Sequence, residues 1–189
     1  MKLPPAVGSK LPRAVRAGPA MAVLLAIVFV VALGYGAGLP LLQAYLARYL
    51  GDATQQTLAW HVGMLGGVYT FALFLFAPWW GRLSDRRGRS VVLVAGLWAF
   101  LAGTATAALT PILWLVYLGR AVAGAGAAAI VPAAQAYVCD ISSPDDRNRR
   151  FVLIGGAAFL GLLAGPAFGA WLSGPVMGMR ADDMPGMVN

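Results

Sequence analysis

One cysteine, Cys139, and one histidine, His61, are all that this chain of 189 residues holds of either type. An intrachain disulfide is excluded, and so is a metal site built from cysteines or from paired histidines at ligand spacing. His61 reads as an interfacial histidine at a helix start. Charge is also scarce: 11% of the residues are charged, where a soluble domain carries about 25%. Acids are the scarcest group. The seven aspartates (Asp52, Asp85, Asp140, Asp145, Asp146, Asp182 and Asp183) all fall at the ends of apolar runs or between them. No Ser/His/Asp set and no pair of carboxylates within an apolar run is present, so nothing supports an enzyme, and no cofactor is expected.

What the chain has in abundance is apolar surface. Hydrophobic residues make up 60%, and the mean hydropathy is +0.74. A water-soluble fold of this size would expose much of that surface, which makes a lipid bilayer the natural solvent. The net charge of +7 would suggest nucleic acid in a soluble protein. Here the bases sit in short clusters between apolar runs and form no contiguous phosphate-tracking face, so no nucleic-acid partner is expected. They read as an orientation signal for a membrane protein.

Residues 1–18 form a basic leader with Lys2, Lys10, Arg13 and Arg16 among Pro4, Pro5 and Pro12. A cleavable signal sequence is a competing reading, but the next apolar stretch is too long for one and no A-x-A site ends it. Residues 17–47 carry no charge, and spanning the hydrocarbon core takes about 20 residues. They predict a helix over 20–45 whose second half holds Gly34, Gly36, Gly38 and Pro40, a composition tolerated where neighbouring helices satisfy the freed backbone. A polar turn at 52–56 leads to a helix over 58–80, closed by Trp79 and Trp80 as aromatic-belt residues. Residues 90–119 are uncharged but divided by Thr110-Pro111, giving helices over 91–109 and 112–139, the latter with Arg120 inside. A fifth helix is expected over 151–172, stopped by Gly174-Pro175. Residues 175–189 read as a polar tail leading toward an absent sixth helix. The expected fold is an all-α integral membrane bundle of five transmembrane helices within 19–174.

The basic residues give this bundle a direction. With the N-terminus inside, the inner segments hold eleven Lys and Arg, and the outer segments hold only Arg48 and Arg180. That is a strong positive-inside bias.

Four constellations stand out. Residues 81–89 (GRLSDRRGR) lie between the second and third helices. Gly81 would let two helices approach closely, and Gly88 would permit a tight turn. Asp85 can face a helix N-terminus, and Arg86 stands beside it. Arg89 can pair with a carboxylate on a neighbouring helix end. Arg120 lies within a span, where a charge costs about 2.5–3.5 kcal/mol on insertion scales. It is followed at helical spacing by Gly124 and Gly126. On the fifth helix Gly161, Gly165 and Gly169 recur every fourth residue and share a face, with Pro166 adding a kink. On the first helix, residues 34–40 are glycine-rich and end in Pro40, with Tyr45 beyond.

The first constellation resembles the G-x-L-x-D-R-x-G-R loop of the major facilitator superfamily. Arg120 with Gly124 and Gly126 resembles the R-x-x-x-G-x-G pattern of its proton-driven members. Residues 161–169 resemble the G-x-x-x-G-P-x-x-G-G element of its exporters and antiporters, with Ala170 in place of the last glycine. The first helix resembles that of the twelve-helix drug:proton antiporters, the branch that includes tetracycline exporters. The resemblance implies a fold, the N-terminal half of a facilitator bundle in a cell (inner) membrane, with the N-terminus cytoplasmic. It implies a gate loop in which Asp85 packs against the second half and Arg89 bridges to Asp140. It also implies a coupling role for Arg120 and secondary transport of small organic solutes or drugs, with a C-terminal half as partner and protons as the coupling ion. Tyr35 and Gln43, Tyr69 and Phe159 are candidate substrate contacts. One departure concerns the proton: Val31 stands near where such exporters keep an acid, so a coupled mechanism needs an acid from elsewhere. The alternatives are a facilitator without proton coupling, or a truncated or split module that transports nothing without a C-terminal half.

Overall fold

Long uncharged runs in a chain rich in Leu, Ala and Val leave the backbone no polar partner but itself, and the helix is the structure that satisfies it within one segment. A computed structural model describes residues 17–50, 54–110 and 112–181. Its elements are five α-helices: α1 (Ala17–Leu50), α2 (Gln55–Arg87), α3 (Arg89–Leu109), α4 (Leu113–Ile141) and α5 (Pro144–Ala181). All five are long and apolar enough to cross a membrane. Most of the leader (1–16), the turn residues 51–53, Pro111 and the end of the tail (182–189, with Asp182 and Asp183) lie outside the described residues.

The helices outrun their expected bounds, for identifiable reasons. α2 begins after Thr54, whose hydroxyl accepts from Thr57 N at 3.3 Å. It continues through the arginine-rich segment to Arg87, so residues 81–87 are helix rather than loop. Only Gly88 leaves the helical region, at φ 93°, and its N–H closes on Ser84 O at 3.0 Å. A helix of 33 residues is roughly 50 Å long at 1.5 Å per residue, longer than the hydrocarbon core, so its last turns stand in the polar layer where arginine is at home. α5 begins at Pro144, not at 151. Ser143 accepts from Asp146 N at 3.3 Å and meets its carboxylate at 3.1 Å, with proline first in the helix and Asp145 and Asp146 at its positive end. The expected stop at Gly174-Pro175 does not hold, since α5 runs on to Ala181.

Packing divides into two tight seams joined through α4. α3 and α4 run antiparallel with glycine against glycine: Gly103 faces Gly119 and Ala123, and Gly96 faces Gly126 and Ala129. α1 and α5 run parallel along the glycines of α5. α4 also packs on α2 and is the most enclosed of the five. Leu24, Val28, Val92, Ile130, Val138 and Ile154 belong to the larger core, toward the end that carries the α2–α3 turn. Leu42, Leu46, Leu65 and Val116 close the opposite end. Large apolar side chains such as Phe74 (78% exposed) and Trp98 (69%) cover the outer surface, as lipid-facing positions should. Trp79 is exposed, whereas Trp80 departs from the aromatic-belt expectation: it is buried, with its indole N–H donating to Ala125 O at 2.6 Å.

Candidate functional site

Two groups of polar residues interrupt this apolar bundle, one at its arginine-rich end and one in its interior. At the arginine-rich end, the sharp turn at Gly88 starts α3 on Arg89 directly below the last turn of α2. Arg89 Nη1 donates to Asp85 Oδ1 at 2.5 Å and to Ser84 Oγ at 3.0 Å, while its Nε reaches Asp140 Oδ2 at 3.4 Å. One guanidinium thereby ties the end of α2 to the end of α4. Asp140 belongs to the last turn of α4 rather than following it. Arg147 and Arg150, on the first turns of α5, donate to Cys139 O and Ile141 O, both at 3.4 Å. Cations there complement the negative end of α4. Arg86 is exposed beside Asp85. Gly81 does not do what its position suggested: among the described residues nothing lies within 4 Å of where its Cβ would be, so no helix of this bundle closes on it.

Within the bundle, Arg120 is buried, only 8% exposed. Its Nη2 donates to Gly38 O of α1 at 3.2 Å. Gly38 is the socket, because a Cβ there would sit 2.7 Å from Nη2. The rings of Tyr35 and Tyr69 pack together with centroids 4.7 Å apart, within electrostatic reach of the guanidinium. The two glycines after Arg120 serve opposite sides of α4. Gly124 admits the backbone of Tyr69 on α2, and Gly126 admits that of Gly96 and Phe100 on α3. Two residues on a helix are about 200° apart, so the sequence pattern lets α4 touch a neighbour on each flank.

On α5 the glycine ladder faces α1 throughout. Gly161 meets Phe29 and Leu33, Gly165 meets Gly36 and Ala37, and Gly169 meets Ala37. Proline explains one detail. Pro166 has no N–H, so Leu162 O has no partner four residues on. A Cβ at Gly36 would lie 2.8 Å from that oxygen, so glycine there lets the freed carbonyl rest against α1.

Of the expected substrate contacts, Tyr35 and Tyr69 come together with Arg120. Gln43 is exposed on α1, and Phe159 is 64% exposed on α5. Sequence reasoning missed three pairs that brace the interior. His61 Nδ1 meets Tyr117 Oη at 2.9 Å, Tyr45 donates to Thr110 O, and Trp80 donates to Ala125 O. Each joins residues at least 45 apart in sequence, so no local signal announces it. No cluster of possible metal ligands occurs among the described residues.

Comparison with known proteins agrees with this architecture. The family model of the Major Facilitator Superfamily matches residues 23–181. The tetracycline resistance protein, class C, of Escherichia coli is 40% identical over 148 residues, which cover 78% of this chain and 36% of that protein. The inner membrane transport protein YajR of Escherichia coli K12 is 35% identical over 68% of this chain and 28% of its own length. Multidrug resistance protein 2 of Bacillus subtilis is 28% identical over 76% of this chain and 34% of its own. The chain spans about a third of the length of these relatives. A match across all five helices, with the family's residues meeting at the ends of α2 and α4, makes this multi-pass membrane chain a member of the Major Facilitator Superfamily.

Proposed function

We propose that this chain is the N-terminal part of a secondary active exporter of small organic solutes, drug-like molecules or metabolites. It works with a C-terminal half by alternating access, the two halves rocking about a site at the middle of the membrane. The arginine-rich end and the N-terminus face the cytoplasm, the orientation the basic residues favour. The observation that carries this reading is the permanently charged Arg120, buried inside the bundle where α1, α2 and α4 meet. Such a group is expensive and is kept where a pathway needs it. The relatives named for tetracycline and multidrug resistance support the export direction.

In this scheme the Asp85–Arg89–Asp140 cluster latches the cytoplasmic side, with Asp85 left 68% exposed and free to meet a second half. The α1–α5 seam, built on Gly161, Gly165, Pro166 and Gly169, stays tight as the halves move. Exchange is coupled to protons through Arg120. The described aspartates stay in terminal turns of their helices, so the acid that takes the proton comes from outside these five spans. That same observation favours, as a second reading, a facilitator without proton coupling.

The test is solute movement in proteoliposomes holding this chain together with a C-terminal half, under an imposed pH gradient. Movement that follows the gradient and stops with a proton carrier supports the antiporter. Movement indifferent to the gradient selects the uncoupled facilitator, and no movement of any solute in a broad panel removes the transport reading.

A further inference from the structure

Tyr117, Tyr45 and Trp80 each find a hydrogen-bond partner on another helix or its flanking residue. The junction of α1, α2 and α4 is different. Arg120 spends one donor on Gly38 O, and its Nε is buried with no partner. Among the described residues, neither the Tyr35 nor the Tyr69 hydroxyl has a hydrogen-bond partner, although Tyr69 is only 4% exposed. Three polar side chains thus converge with a single bond to protein among them. Nor, among the described residues, does any carboxylate answer the guanidinium: Asp85 and Asp140 are engaged by Arg89, and Asp145 and Asp146 lie in the first turn of α5.

The chemistry of these groups narrows what could complete them. A guanidinium offers a planar fork of donors that matches a carboxylate or other acidic oxygen. Two phenols add further donors and apolar ring faces. A cationic solute would instead meet an uncompensated like charge in a low-dielectric setting. Tyr35 is half-buried, where Tyr69 and Arg120 are enclosed. Glycine at 38 and at 124 keeps the junction this close, because a side chain at either would strike Arg120 or the backbone of Tyr69.

We propose that Tyr35, Tyr69 and Arg120 form a binding site for the acidic oxygen of an organic solute with an apolar body, so that the transported class is acidic rather than cationic. The inference rests on the transporter reading above and sharpens it. A carboxylate side chain from a helix of the C-terminal half has the same chemistry, and the test separates the two sources.

The chain is placed in lipid nanodiscs with 15N-labelled arginine and titrated with 2-naphthoate, its methyl ester and 2-naphthylmethylammonium. The Arg120 Nε–H resonance is the one lost in Arg120→Lys. Naphthoate is expected to shift that resonance and to bind about tenfold more tightly than the ester or the cation, the effect of one charge-assisted pair. Tyr35→Phe should weaken naphthoate several-fold, and Arg120→Gln should erase the discrimination while circular dichroism shows the helices intact. Arg120→Lys keeps a charge and should keep part of the preference, which guards against a folding artefact in the glutamine variant. Equal binding of the three probes, preference for the cation, or no binding of naphthoate overturns the proposal. In a second arm the chain is paired with a C-terminal half. Naphthoate binding that survives pairing supports a solute site, and binding lost on pairing assigns the guanidinium to a side-chain carboxylate and overturns it. Export that requires Arg120 but ignores solute charge would sink this inference and leave the transporter reading standing.

Discussion

Replacing Gly165 with alanine adds one methyl group to a helix, and the seam between α1 and α5 predicts that it destabilises the bundle. The new Cβ would lie 2.6 Å from Gly36 Cα and 2.8 Å from Ala37 N. Carbon atoms in contact sit about 3.5–4.0 Å apart, so the helices must separate by roughly 1 Å. Backbone on the far side cannot rotate away as a side chain would, and the separation also loosens the contacts at Gly161 and Gly169. Overpacking of this kind costs about 1–3 kcal/mol. Gly155 of the same helix is the control, with nothing within 4 Å of its Cβ position. Alanine there should be neutral or stabilise by up to about 1 kcal/mol through helix propensity alone. The assay is unfolding of the chain in mixed micelles on titration with a denaturing detergent, followed by circular dichroism. A loss at 165 and none at 155 is expected. Gly165→Ala as stable as the unaltered chain, or equal losses at both positions, would refute the packing argument.

Four further outcomes follow from the geometry. Gly88→Ala forces a side chain into φ 93° and should cost about 1–3 kcal/mol in the same unfolding assay. Ser143→Ala removes the cap of α5 and should cost about 1 kcal/mol, with Ser143→Asp close to neutral. Asp140→Asn should change stability by less than about 1 kcal/mol, because the pair with Arg89 is exposed, yet slow transport in the paired transporter. Exchanging the charges, Arg89→Asp with Asp140→Arg, should recover part of that rate, which a transport assay of the single and double variants would show. Gly38→Ala should displace the Arg120 side chain and move its Nε–H resonance, whereas Gly63→Ala, facing open space on α2, should leave it in place.

Much of this architecture could be read from the chain. Uncharged runs separated by arginine clusters define five spans because lipid leaves an apolar segment only the helix to adopt. Spacing of four put Gly161, Gly165 and Gly169 on one face, and that face is the one that meets α1. The pairing of Arg89 with Asp85 and Asp140 was also expected, from the resemblance rather than from spacing. Helix ends were read less well. Ser143-Pro144-Asp145-Asp146 is a helix start written in capping residues, but it lies before the apolar run that marks the span. The segment ending at Arg87 reads as a loop because it lies between two charge-free runs and resembles the family's loop, although arginine is a good helix former in water. What sequence could not supply were the partners across the bundle. Nothing near Gly81 hints that its face is open here, and nothing near Gly38 marks it as the socket for a side chain 82 residues away.

The central claim is that this chain supplies one half of an exporter, and solute accumulation in cells tests it most directly. Cells would express the chain alone, the chain with a matching C-terminal half, and the pair carrying Asp85→Asn or Arg120→Ala, each with and without a proton uncoupler. A panel of acidic, neutral and cationic drug-like molecules would serve as probes. The account predicts lowered accumulation only when both halves are present, restored by the uncoupler and by either substitution. Accumulation that is unchanged for every probe with both halves in the membrane would contradict it.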